Sequence, residues 1–270
     1  MTAAAYGQDD TSSVTVQVIT DKDNKKVIVD ADGDVWQKTT KRKNVSTSWI
    51  GGFDLGFANF VDNTDYASAS AQAFAPGADA ASFDLRNGKS INFNLWIFSQ
   101  KVNLINHNVN LKYALGLELN NYRFKNPIRF DENAPYVRWD NTGNRVYTKN
   151  KLAADYVTIP VMLNFDFGKG QSVKRRIGGN KSKIKYNSFS REWGFSAGIS
   201  AGYLYSARNK TITSDEGKQK LKDNFNLNPW KLSYVAEINL GYFSLYGSYA
   251  MKGMFKDGLD ITPYNVGIRF

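Results

Sequence analysis

Apolar and polar residues alternate with a period of two in eight stretches of this chain, the spacing of strands with one face against an apolar medium. The clearest stretch is 109–124, where Val109, Leu111, Tyr113, Leu115, Leu117 and Leu119 oppose Asn110, Lys112, Ala114, Gly116, Glu118 and Asn120. The other seven lie near 48–60, 90–99, 154–167, 193–205, 230–240, 242–252 and 262–270. Together they predict an all-β fold: an eight-stranded antiparallel up-and-down transmembrane β-barrel over 45–270. The polar faces are rich in Gly and Ser, which suits a lumen only just wide enough for side chains, and leaves the bulky residues to the outside. Tyr264, Val266, Ile268 and Phe270 face outward on the eighth strand. Phe270 is the expected barrel-assembly terminus, on a strand that closes onto the first and leaves no open edge.

The connections fall into two groups. Outer loops are expected at about 61–89, 125–152, 206–229 and 253–261, mostly long and polar. Inner turns fall at 100–108, Gly241 and 168–190. The last is long and carries a basic patch, Lys174, Arg175, Arg176, Lys181, Lys183 and Lys185, expected to extend the strands as a hairpin beyond the membrane and to meet a partner. Residues 1–44 form a separate region. Met1 to Gln8 has the small-residue tail of a signal-peptide remnant. Val14, Val16 and Val18, then Val27, Ile28 and Val29, flank a turn-like Asp21-Lys22-Asp23-Asn24, which predicts a periplasmic hairpin. Two strands alone are marginal in water, so the hairpin must dock on something or stay mobile.

Composition narrows the chemistry. No window of the 270 residues approaches the roughly 20 apolar residues of a membrane helix, whereas barrel strands escape that test. Aromatic residues make up 14% of the chain, in keeping with girdles at two bilayer interfaces. Cysteine is absent and His107 is the one histidine, so neither a metal centre nor a cofactor is expected. His107, between Asn106 and Asn108, reads as a turn residue. No Ser–His–Asp arrangement is inferable, and the chain is not expected to be an enzyme. The net charge of +10 would ordinarily suggest nucleic acid. In an envelope protein the expected partners are instead outer-membrane lipid, lipopolysaccharide phosphates and another envelope protein.

Trp49-Ile50-Gly51-Gly52-Phe53-Asp54-Leu55-Gly56, Asn120-Asn121-Tyr122-Arg123-Phe124, Tyr156-Val157-Thr158-Ile159-Pro160 and Asp223-Asn224-Phe225-Asn226-Leu227-Asn228-Pro229 resemble the outer-membrane β-barrel domain proteins of Bacteroidota. The resemblance covers about 45–270. It implies an eight-stranded, porin-like barrel with a periplasmic amino terminus in a Gram-negative outer membrane. One relative is an accessory of the type 9 secretion system, so the resemblance also implies an accessory-subunit role. The long basic connection departs from the family pattern.

Inward parity gathers Asp54, Glu118, Asp166 and Glu237 with Lys112, Lys231, Lys252 and Arg269. Charges in a narrow lumen must be paired or hydrated, and the balance of four acids and four bases predicts an ion-pair network that plugs the barrel. Porin-like passage of solutes or ions through a hydrated lumen is the alternative. Pro160 lacks a ladder donor and is expected to mark a bulge in the fourth strand.

Overall fold

The computed structural model describes residues 44–140, 145–167 and 193–270 in full, and the backbone of 19–20, 25–29, 35–41, 171–177 and 184–187. Eight antiparallel strands close into a barrel: β1 Phe53–Asp62, β2 Ile91–Ile105, β3 Val109–Arg123, β4 Tyr147–Asp166, β5 Trp193–Thr213, β6 Trp230–Leu240, β7 Ser244–Ala250 and β8 Ile261–Arg269. Each pairs with its sequence neighbours, and β8 returns to β1 from Ile261↔Asp62 to Arg269↔Asp54. The strand edges are therefore all satisfied within the barrel wall. No helix among the described residues is long and apolar enough to cross a membrane, which does not bear on strands.

At one end, the turn end, β2 and β3 are joined by Asn106-His107. Both residues have positive φ, 47° and 61°, and Asn108 N–H donates to Ile105 O at 2.9 Å. Positive φ at two central residues defines the turn whose twist matches flanking strands, so His107 is the turn residue the sequence predicts. Gly241, with φ 94°, turns β6 into β7. The first predicted strand is broken in two. Val45–Trp49 pairs with Phe98–Val102 of β2, and Ile50 and Gly52 then take φ of 55° and 111° before β1 resumes the wall. A Cβ on Gly52 would sit 2.3 Å from Phe270 O. Only glycine combines that φ with that approach.

The wall keeps the predicted alternation. Leu55, Phe57, Ile159, Val161, Leu163, Ile199, Tyr234, Ile238 and Val266 point outward and are exposed, forming an apolar belt. Aromatic residues crowd both edges of this belt. Trp49, Phe167, Trp193, Tyr242 and Phe270 lie toward the turn end, and Tyr203, Tyr205, Trp230 and Tyr249 lie toward the other. Pro160 does not make the expected bulge. It keeps register with Ser200, and its missing N–H instead interrupts the pairing with β3, where the ladder lapses between Thr158 and Val161. The β4–β5 ladder is irregular between Tyr147 and Lys149, where Thr148 of β4 is the extra residue, and between Asp155 and Tyr156, where the extra residue is Tyr205 of β5.

The opposite, loop end departs most from expectation. β4 and β5 continue well past the belt, pairing up to Tyr147↔Thr213, and Gly217–Leu221 folds back onto β5. The connections are not simply polar, because together they build the main apolar core. Phe74 and Phe83 from the β1–β2 connection, Phe124, Ile128, Phe130 and Val137 from β3–β4, Phe225 and Leu227 from β5–β6, and Phe255 and Leu259 from β7–β8 are all buried in one cluster. Phe130 is central, with ring centroids 5.7 Å from Phe124 and from Phe225 and 6.5 Å from Phe255. Ser68 caps the helix Ala69–Phe74 through its Oγ and Ala71 N–H, 3.3 Å apart.

At the turn end, residues 19–20, 25–29, 35–41, 171–177 and 184–187 form a second, five-stranded sheet in that order. Residues 25–29 of the predicted hairpin pair with 35–41, and 35–41 in turn pairs with the basic connection. Val35↔Ile177 through Lys41↔Gln171 join the amino-terminal segment to the segment between β4 and β5. The signal-like Met1 to Gln8, Val14, Val16, Val18 and the turn 21–24 lie outside the described residues.

Candidate functional site

The barrel interior is the site the inward parity selects, and it is filled by a connected polar network. Asp54, fully buried at the β1 seam, accepts from Arg269 Nε at 2.6 Å and Nη2 at 2.7 Å. It also accepts from Asn94 Nδ2 and Trp96 Nε1, each at 3.0 Å. Arg269 lies over the Trp96 ring, 4.8 Å from its centroid, and its other arm meets Glu237, which in turn holds Lys112. A chain of amides continues from here. Asn92 Nδ2 bridges Asn94 Oδ1 at 3.0 Å and Asn120 Oδ1 at 2.9 Å, and Asn120 donates to Glu118 Oε1 at 3.0 Å. Glu118 also accepts from Asn265 at 3.0 Å and pairs with Lys231, whose ammonium sits 5.5 Å from the Tyr156 ring centroid. Tyr246 Oη donates to Asn92.

Two ion-pair centres, Lys112–Glu237–Arg269–Asp54 and Glu118–Lys231, are thereby linked across the lumen by Asn94, Asn92 and Asn120. Charged hydrogen bonds of this kind are strong where water is excluded, and each partner satisfies the other's desolvation. The void left among these side chains is about 30 Å³, space for a water molecule or two and not for a solute.

Of the eight charged residues selected by parity, six enter this network. Asp166 lies nearer the turn end, with Lys101 Nζ 3.2 Å from its Oδ2. Lys252 is the correction: it is exposed, beyond the last residue of β7, Ala250, where strand parity no longer orients side chains. Lys101 takes its place in the charge balance. It was hidden because a bulge between Trp96 and Phe98 reverses the phase of β2 and carries that strand on to Ile105. Asn92, Asn94 and Asn120 stand on the polar face of the sequence pattern, but nothing in a sequence distinguishes a bridging amide from a filler.

The two mouths differ. The loop end is covered by the aromatic cap, beside which a cavity of about 230 Å³ is lined by Tyr156, Trp230, Lys231, Lys252 and Met254. The turn end opens into a polar vestibule of about 300 Å³ lined by Ser46, Ser48, Ser99, Lys101, Lys112 and Asn239, among others. Outside the cap, a cleft of about 310 Å³ carries Arg129, Arg138 and Arg145. Each is engaged by carboxylates: Arg129 with Glu216 at 2.6 Å, Arg138 with Asp131 at 2.6 Å, and Arg145 with Asp140 at 2.8 Å and Asp215 at 2.7 Å. The cleft is therefore cross-braced, with its cations neutralised.

In the predicted basic patch, Lys174, Arg175 and Arg176 stand on the strand Gln171–Ile177 and Lys185 on Ile184–Asn187, whereas Lys181 and Lys183 lie outside the described residues. Lys174 pairs in register with both Lys38 and Lys185. The described residues hold no cluster of three or more metal-ligating side chains. No family model, curated protein or solved structure matches the chain.

Proposed function

We propose that this protein is an outer-membrane barrel of a Gram-negative envelope, of the Bacteroidota type, that acts as an anchor and scaffold and not as a conduit. The observation that carries the reading is the filled lumen, bonded from Lys112 to Lys231 beneath an aromatic cap. The exposed belt supports the membrane placement. From Val157 on β4 to Phe167, the residue after its end, is ten residue steps of about 3.3 Å, and a strand tilt of about 40° projects them to about 25 Å, the height of the apolar band of such barrels. The five-stranded sheet at the turn end supplies the scaffold. It joins two distant segments, adds backbone and charge outside the wall, and is the surface on which an accessory subunit would meet another envelope protein.

Two measurements test this. Reconstituted in planar bilayers, the protein is expected to leave the baseline conductance unchanged, and steps that vanish in Glu237→Gln would overturn the scaffold reading in favour of passage. Purified from native envelopes in mild detergent, it is expected to retain a stoichiometric envelope protein that is lost when 171–187 is replaced by a short turn. Emergence alone under every mild condition refutes the accessory role.

A further inference from the structure

A row of cations crosses the outward face of the wall beyond the belt. Arg123 of β3 pairs in register with Lys151 of β4, Lys151 with Lys210 of β5, and Lys210 with Lys220 of the folded-back strand. Cross-strand partners share a face, so four like charges stand side by side on four adjacent strands. Lys149, Arg208 and Lys218 flank them with the same strand parity. Like charges placed directly opposite are destabilising. A protein that assembles such a row without neutralising it loses stability to no structural end.

Neutralisation from within is scarce. Among the described residues Asp155 is the carboxylate facing this group; its Oδ2 is taken by Arg208, and its buried Oδ1 has no hydrogen-bond partner among the described residues. Asp215 and Glu216, at the neighbouring hairpin tip, are held by Arg145 and Arg129. Arg123 donates from Nη2 to Thr148 O at 2.7 Å, but its buried Nε finds no hydrogen-bond partner among the described residues. Lys151 donates to Asn121 Oδ1, a neutral acceptor, so the cations of the row outnumber the carboxylates that face them.

Position narrows which anion. Lys151 is six residues beyond Val157, the last exposed apolar residue of β4's belt, and so about 20 Å further along the strand. A tilted strand then places the row outside the acyl region, at the level of headgroups. We infer that Arg123, Lys151, Lys210 and Lys220 form a binding site for the phosphorylated sugar headgroup of an outer-leaflet glycolipid. Phosphates match this array because guanidinium and ammonium donors bind them with charge-assisted hydrogen bonds, and a membrane supplies them at the required height. The site rests on the membrane placement proposed above and lies on the opposite side of the belt from the basic connection.

Titration behaviour agrees with crowding. Burial, with Lys149, Arg208 and Lys210, pushes the Lys151 ammonium down to about 8. Partial burial and the neighbours Lys149, Lys218, Lys220 and Arg208 lower Lys210 as well. The groups facing Lys151 are Arg123 from β3, Lys149 and Asp155 from β4, and Arg208 and Lys210 from β5, a strongly cationic set. Binding an anion should restore the proton on Lys151 near pH 8.

The test uses the whole protein in phosphatidylcholine vesicles with or without a tenth of bisphosphorylated lipid A. Bound lipid A per barrel is counted by native mass spectrometry, and thermal unfolding is followed in parallel. Lys151→Gln/Lys210→Gln/Lys220→Gln is expected to lower lipid A retention at least tenfold. A control with three exposed lysines off the row, Lys89→Gln/Lys252→Gln/Lys256→Gln, should retain it. Without lipid A the row variant should unfold at a higher temperature than the parent, since repulsion has been removed. With lipid A the order should narrow or reverse. Equal retention in row and control variants, or equal binding of lipid A stripped of its phosphates, overturns the inference. If inositol hexakisphosphate in solution stabilises the parent as strongly as lipid A does, and through the same residues, the lipid source is refuted. Failure of the protein to insert into vesicles refutes the membrane placement itself, whereas insertion without lipid A retention refutes only the headgroup site.

Discussion

The Glu118–Lys231 pair offers the most direct measure of how dry the lumen is. Both residues are 7% exposed, and Glu118 carries two further amide donors that a glutamine oxygen would keep. Glu118→Gln strands the Lys231 ammonium against the Tyr156 ring, and Lys231→Met strands the Glu118 carboxylate. Removing one partner of a buried pair costs about 3–5 kcal/mol, whereas removing both leaves no uncompensated charge and is often nearly neutral. Each single variant should therefore lose about 3 kcal/mol or more, a factor of over 100 in the folding equilibrium, and the double variant about 1 kcal/mol. The resulting coupling, about 5 kcal/mol, is well beyond the additivity seen for independent sites. Urea unfolding in phospholipid vesicles, followed by tryptophan fluorescence, supplies the four stabilities of the cycle. Single-variant losses below about 1 kcal/mol that simply add would mean that water screens the pair as it does at a surface. The filled-lumen argument would then fail, and passage would become the better reading.

Four further outcomes follow from the geometry. Phe130→Ala should cost about 3–5 kcal/mol by opening a cavity at the centre of the cap, read as faster proteolysis at loop-end sites with the barrel intact. Gly52→Ala should destabilise the β1–β8 seam, because φ is 111° and the new Cβ would lie 2.3 Å from Phe270 O; gel mobility of the unheated protein reports the loss. Lys151 has its proton affinity lowered in the folded state, from 10.5 to about 8, so the unfolded chain binds more protons between those values and stability in plain phosphatidylcholine should rise with pH across that window. Lys151→Met should flatten that rise. Lys38→Cys with Lys174→Cys, register partners in a chain otherwise free of cysteine, should be joined by a short bismaleimide, and failure to cross-link would refute the five-stranded sheet.

The strands were legible because one physical constraint, an apolar outside and a crowded inside, acts on every second residue. Parity alone brought Asp54, Glu118, Glu237, Lys112, Lys231 and Arg269 to the same interior. It failed at Lys252 and Lys101, where a strand end and a bulge shift the phase that parity assumes. The cap was invisible for a different reason. Phe74, Phe130, Phe225 and Phe255 come from four segments with no shared period, and stretches such as Asp223-Asn224-Phe225-Asn226 read as polar loop until four of them converge. The second sheet was half legible: the hairpin had its valines and its turn, but the strand 35–41 beside it is flanked on its other edge by 171–177, more than a hundred residues away. The cation row escaped notice because Arg123, Lys151, Lys210 and Lys220 are unremarkable singly and adjacent only through register.

The bidentate contact between Arg269 and Asp54 also sets the timing of assembly. The two residues are 215 positions apart, and joining ends that far apart carries about 5 kcal/mol of loop-closure entropy, since the cost grows as the logarithm of the span. Contacts of such long range form late and slowly. β1 and β8 must therefore wait, edges open, while the hairpins between them associate. When the seam does shut, the arginine swings into a lumen that already holds Glu237 and Trp96, lies over the Trp96 ring, and fastens Asp54 with one arm and Glu237 with the other. The contact works as a clasp that can engage only once the rest of the circumference is in place, which makes it a marker for counting completed barrels during folding.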